Sequence, residues 1–206
     1  MLGSIAAATV RWGSIWPLVV TALALMGSPG PATVSLAAAG SAYGVRRSLG
    51  YLAGIVLGTA VVLVAVAAGI TVTLLAVPVL RSVLVALSVA YILWLAYRIA
   101  TTPRPGEGPA AAPPSLAGGV LLGVANPKAW VAIAAVFASS RLAGTATADA
   151  AAKVAVLSLV MVLIMVAWLL AGACFASTLR DPGRARVVNL ALAAALVGST
   201  ALAVLR

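Results

Sequence analysis

The side chains able to do chemistry are few in this chain. Its 206 residues include three acids (Glu107, Asp149, Asp181), one cysteine (Cys174) and no histidine. A zinc site needs several His, Cys or carboxylate ligands, and these are not present in number. A Ser-His-Asp triad cannot be built without histidine. Thiol chemistry between two cysteines would need a second one. No cofactor or metal is expected. Cys174 reads as a small residue of an apolar run. The group that stands out is Lys128, the one charge well inside a long apolar stretch. Ionisable groups in such places are costly and usually functional.

Lys128 belongs to GVANPKAW (residues 123–130), and a similar interruption, GSPGPAT, occupies residues 27–33. A proline inside an apolar helix removes a backbone donor and displaces a carbonyl. Lipid tolerates unpaired backbone only where it is buried in protein or lines a cavity. Both breaks also look like helix starts. Asn126 is a favoured N-cap and Pro127 a favoured first residue; Ser28-Pro29 and Gly30-Pro31 have the same form. Each break should end one half-helix and begin another, whose free N–H groups and partial positive charge suit a carboxylate. Lys128 is unfavourably placed beside such a tip unless an anion lies between them. Alternatively its ammonium bonds backbone carbonyls freed by the breaks, or snorkels. The candidate site is therefore Pro29, Gly30, Pro31, Thr33, Asn126, Pro127, Lys128 and Trp130. Trp130 either stacks on a guest or fills space. Thr33, Ser35, Thr59 and Asn189 are polar groups within spans, for which helix-to-helix hydrogen bonding is the default.

The elements that must carry these residues are membrane helices. The chain is 64% hydrophobic and 8% charged, whereas soluble domains have about 45–50% apolar and about 25% charged residues. A span needs about 20 apolar residues to cross about 30 Å of hydrocarbon. Uncharged runs cover residues 12–45, 48–80, 82–97, 108–138 (broken by Lys128), 154–179 and 187–205. The first run, after Arg11, has the look of a signal peptide, but its apolar character resumes past Pro31, so it reads as a span. The expected fold is an all-α integral membrane protein of six transmembrane helices. Residues 1–101 form one three-helix half, 102–114 a Pro/Gly-rich hydrophilic connector, and 115–206 the other half.

Pro31 and Pro127 are 96 positions apart, near half of the chain, and each lies in the first span of its half. Three spans is an odd number, so the halves enter from opposite sides and form inverted repeats. Interrupted segments at matching places in two halves point to a transporter binding site. Glycines four apart (Gly40 and Gly44; Gly50, Gly54 and Gly58) suit close helix packing inside the molecule more than a dimer face, though a homo-oligomer stays open. The net charge of +10 comes from scattered loop residues and not from a phosphate-tracking stripe, so no nucleic-acid partner is expected. Lys153 counts among the loop cations, and the positive-inside rule favours both termini outside.

At these motifs the sequence resembles the lysine exporter family, the LysE/RhtB-type amino-acid exporters. The resemblance rests on SPGPATVSLAAAGSAYGVRRSLGYLAGIVLG (28–58), AYILWLAYRIA (90–100) and GVANPKAW (123–130), with a weaker match around Asn189. It implies a multi-pass exporter in the bacterial plasma (inner) membrane, carrying amino acids or derivatives and driven by protons. It carries a role onto Pro29, Gly30, Pro31, Asn126, Pro127 and Lys128. Two places depart from the pattern: Thr59 stands where many members have Asp, and residues 132–140 lack a Phe-rich stretch ending in Pro-Gln. No predicted span holds a carboxylate, so proton coupling would fall to Lys128, the guest's amine or a loop acid.

The function expected is export of a small zwitterionic amino acid by alternating access around a midplane site. The alternative is a passive channel or a structural membrane subunit, in which the breaks are kinks. An enzyme is not expected, because Lys128 alone would have to supply the acid and the base. The spans offer no fixed anion, which favours a neutral guest over lysine.

Overall fold

The computed structural model describes residues 11–70, 78–100 and 112–178, together with 191, 194, 197 and 198. Among the described residues there are seven α-helices and no strand. After one 3-10 turn at Trp12–Ser14 come α1 (Ile15–Gly27), α2 (Pro31–Tyr43) and α3 (Val45–Ala67). Then follow α4 (Pro78–Ala100), α5 (Leu116–Ala125), α6 (Pro127–Ser139) and α7 (Ala146–Thr178).

Proline and glycine set the boundaries. Pro31 and Pro127 are the first residues of α2 and α6. Having no N–H, each can begin a helix but cannot continue the ladder from the helix before it. The chain therefore bends by 65° between α1 and α2 and by 57° between α5 and α6. α2 ends at Gly44, which has φ 76° and whose N–H bonds the Gly40 carbonyl at 3.0 Å. Gly69, also at φ 76°, follows the end of α3 in the same way. This is the left-handed region that glycine enters without a steric penalty.

α3 and the Ala146–Cys174 part of α7 are long and apolar enough to cross a membrane, and each bent pair makes one further candidate if it counts as one broken span. The described residues thus hold two to four candidate spans. The predicted third span, residues 82–97, is part of the longer helix α4. Most of the predicted last span (187–205), with Asn189, and most of the 102–114 connector lie outside the described residues.

The fifth span differs from its expectation. α7 begins at Ala146, not near residue 154. Asp149 and Lys153 lie four apart on its first turns and form an ion pair at 2.8 Å. Each neutralises the other, so two charges enter a helix where the sequence suggested a loop. Lys153 is 4% exposed and is therefore no loop cation.

Packing explains the glycines. Gly54 and Gly58 of α3 lie against α5, where an added methyl group would overlap the Leu116 and Val120 carbonyl oxygens. Gly119 and Gly123 of α5 return the same contact against Tyr51 and Ile55 of α3. A second close crossing joins Gly40 of α2 with Gly172 of α7. Such approaches let backbones touch where lipid supplies no hydrophobic drive between helices. Gly44 and Gly50 take no part, since nothing lies within 4 Å of a methyl group added to either. α2 sits deepest, with 11 of its 13 residues buried. That position explains its run of alanine, glycine and serine. Outward-facing Trp16, Val20, Leu57, Val61, Val79, Leu159 and Leu163 are well exposed. Apolar side chains on so many outer faces suit a bilayer solvent.

Candidate functional site

The two breaks meet. Lys128, on the first turn of α6, sends its ammonium group across to the first break, where it donates to the carbonyl oxygens of Ser28 and of Pro29, the latter at 3.1 Å. These carbonyls follow the end of α1, where the helix cannot supply partners. Gly30 makes this crossing available. A methyl group at Gly30 would lie 2.5 Å from Lys128 Cδ and 2.9 Å from Nζ. Its backbone is extended (φ −169°), so the glycine is needed for space and not for conformation.

Other freed groups are also partnered. The indole N–H of Trp168 on α7 donates to the Gly27 carbonyl at 3.1 Å. Thr33 Oγ1 accepts from the Gly30 N–H at 2.9 Å, while its own proton lies toward the Gly30 carbonyl, 3.1 Å away. At the second break, Asn126 Oδ1 accepts from the Lys128 N–H at 3.2 Å, and the Asn126 carbonyl accepts from the Ala129 N–H at 3.0 Å. The Trp130 indole donates to the Val124 carbonyl at 2.8 Å. The two tips are therefore unequal. The α6 tip is closed by Asn126, whereas the Gly30 cap has no side chain with which to close the tip of α2. The N–H groups of Ala32 and Thr33 thus have no side-chain cap, and the partial positive charge of α2 stays available.

Between the breaks is a cavity of about 30 Å³ lined by Gly30, Thr33, Thr59, Asn126 and Lys128 on its polar side, with Met26, Ala132, Ile133 and Met165 among its apolar walls. That volume suits one or two water molecules. No carboxylate lines it, and among the described residues none pairs with Lys128. Of the residues singled out from the sequence, Gly30, Thr33, Asn126 and Lys128 wall the cavity. Pro29 contributes a carbonyl to Lys128; Pro31 and Pro127 start the half-helices. Trp130 is 6% exposed and is not part of the lining.

Sequence reasoning assigned Thr59 to helix-to-helix bonding, yet it lines this cavity from α3, 2% exposed, with its hydroxyl unpartnered. The available signal was the departure from the family pattern at that position. Thr33 and Ser35 do bond as structural groups: Ser35 Oγ donates to the Ala32 carbonyl at 2.8 Å and accepts from Tyr51 OH at 3.1 Å.

A second charged cluster lies elsewhere. Besides its pair with Lys153, Asp149 accepts from the N–H groups of Leu142 and of Ala143, the latter at 3.2 Å. Lys153 also donates to the Phe137 carbonyl at 2.8 Å and lies 5.3 Å from the centre of the Phe137 ring. These bonds fasten the turn between α6 and α7, and none reaches the cavity.

The chain is 40% identical over 90 residues to a cysteine/O-acetylserine efflux protein of Salmonella typhimurium, covering 43% of this chain and 44% of that one. The chain thus aligns with under half of that relative's length. It is 31% identical over 167 residues to a cysteine/O-acetylserine efflux protein of Escherichia coli K12, covering 80% of this chain and 85% of the relative. No solved structure matches. The family model of the LysE type translocator matches residues 23–206, which include both breaks and the cavity between them. The chain belongs to the LysE type translocator family, a family of transporters and not of enzymes.

Proposed function

We propose that the protein exports small zwitterionic amino acids, or close derivatives, across the bacterial plasma (inner) membrane. In this reading it has six spans in two inverted three-helix halves, and one half rocks against the other around the site between the breaks. The carrying observation is the Lys128 ammonium of one half seated on the freed Ser28 and Pro29 carbonyls of the other, beside a cavity without a carboxylate.

An ammonium has three donors, and two carbonyls use two of them. The third, with the uncapped tip of α2, suits a carboxylate. The cavity is too small for an amino acid, so admission requires the half-helices to part. Parting draws Lys128 off its carbonyls and frees it for the guest's carboxylate. On release the carbonyls take the ammonium back, so the charge is never left bare in a low-dielectric interior. The curated relatives are named for cysteine and O-acetylserine, both without a net charge. Such guests fit a cavity that offers a cation and no anion. Proton drive would act through Lys128 or the guest's amine, since no carboxylate lines the cavity.

The test is counterflow in proteoliposomes loaded with labelled cysteine, O-acetylserine or lysine. Saturable counterflow is expected for the first two and little for lysine. Flux that rises linearly with concentration, with no counterflow, would mean a passive pore and end the proposal.

A further inference from the structure

Thr59 is the group that the reading above leaves unused. Several helical hydroxyls pair with the carbonyl of the preceding turn: Thr21 with Pro17, Ser35 with Ala32 and Ser139 with Val136, each at 2.8 Å. That habit is general, because a helix offers the carbonyl of the preceding turn to such side chains. Thr59 does not follow it. Its hydroxyl has no partner although the residue is 2% exposed. The carbonyl one turn back, Ile55, is instead pressed against Gly123 of α5, where an added methyl group would lie only 2.8 Å from it. A buried hydroxyl with no partner is worse for stability than an apolar group of the same shape, and valine has that shape. On the wall of a cavity, such a hydroxyl is free to bond what enters it.

We infer that the Thr59 hydroxyl is a guest-binding group, accepting a hydrogen bond from the ammonium end of an amino acid whose carboxylate meets Lys128 and the tip of α2. This rests on the export reading above and adds the anchor for the second pole of the zwitterion. Thr59 and Lys128 both line the cavity between the breaks, and Thr59 is the lining side chain whose oxygen is unclaimed among the described residues. Thr33 Oγ1 is bonded to Gly30, and Asn126 Oδ1 to the Lys128 N–H. A neutral acceptor holds the guest's amine without adding an anion that would attract cationic amino acids.

The experiment compares wild type, Thr59→Val and Thr59→Ser in proteoliposome counterflow of O-acetylserine, with thermal unfolding of each in detergent. Loss of one hydrogen bond to a charged group corresponds to a rise in KM of about 10-fold for Thr59→Val. Thr59→Ser should stay within about 3-fold of wild type. Thr59→Val should unfold no earlier than wild type, because it removes an unpartnered hydroxyl. Wild-type KM in Thr59→Val overturns the inference and leaves the export reading standing. So does a loss of transport in Thr59→Val that comes with earlier unfolding, since that would mark a structural hydroxyl. Absence of counterflow in wild type with every amino acid removes the export reading, and this inference with it.

Discussion

Two lysines lie in this molecule's interior, and they are held in opposite ways. Lys153 meets a carboxylate one turn back on its own helix, and the carbonyl and ring of Phe137 near the end of the helix before it. Its charge is cancelled by Asp149. Among the described residues Lys128 meets two carbonyls and no carboxylate, both carbonyls from the other half of the chain and both displaced by proline. Its charge is uncancelled, and a neutral carbonyl is readily exchanged for a carboxylate. The difference separates a lysine that fixes structure from one free to change partners. A charge inside a membrane span is costly in either case. What decides its role is whether the protein supplies the counter-charge or leaves that to something that comes and goes.

Each part of the contrast can be broken. The largest effect should come from Lys153→Ala, which removes the counter-charge of Asp149 and leaves it only the Leu142 and Ala143 N–H groups. Stability should fall by about 3–5 kcal/mol, read as lower yield and earlier unfolding in detergent. Replacing the pair together, Asp149→Leu with Lys153→Met, should recover most of that loss. A double variant as unstable as the single one would show that the pair does more than cancel charge. Lys128→Ala should do the reverse. Folding should survive, because the carbonyls of Ser28 and Pro29 can turn to cavity water, while counterflow should drop about 100-fold for loss of a charged partner. Transport near wild type in that variant would remove Lys128 from the site.

Gly30→Ala sharpens the comparison without touching a charge. Its backbone tolerates alanine, so the added methyl group acts only by displacing Lys128. Export should fall about 10-fold with little change in unfolding temperature. Gly44→Ala supplies the counterpart, since it forces a side chain into positive φ. It should cost about 1 kcal/mol of stability and leave KM unchanged. The smallest effect is expected for Trp130→Phe, which loses one bond to the Val124 carbonyl, worth about 0.5–1.5 kcal/mol. A large KM change there would mean that the indole meets the guest after all.

Much of this was legible before any fold was known. The breaks at residues 27–33 and 123–130 were readable because proline lacks a donor, a local covalent fact. Asn126 and Pro127 marked a helix start for the same kind of reason, and α6 begins there. The Asp149–Lys153 pair could have been found from its four-residue spacing, but two charges beside an apolar run read more simply as a loop. The glycines of α3 declared a packing stripe, yet their partners on α5 did not stand out, since small residues are common in every span here. Gly44 fitted the stripe by spacing and turned out to end a helix.

Composition and periodicity by themselves determined that this chain dissolves in lipid, breaks twice near matching positions and carries one isolated cation at the second break. These are properties of single residues and their neighbours along the chain. Only the tertiary structure decided which carbonyls receive that cation, and that Thr59 shares its cavity while Trp130 does not. Those outcomes depend on which distant segments come within about 3 Å of one another. Hydrogen bonds and ion pairs act over that range, and no spacing in the sequence encodes it.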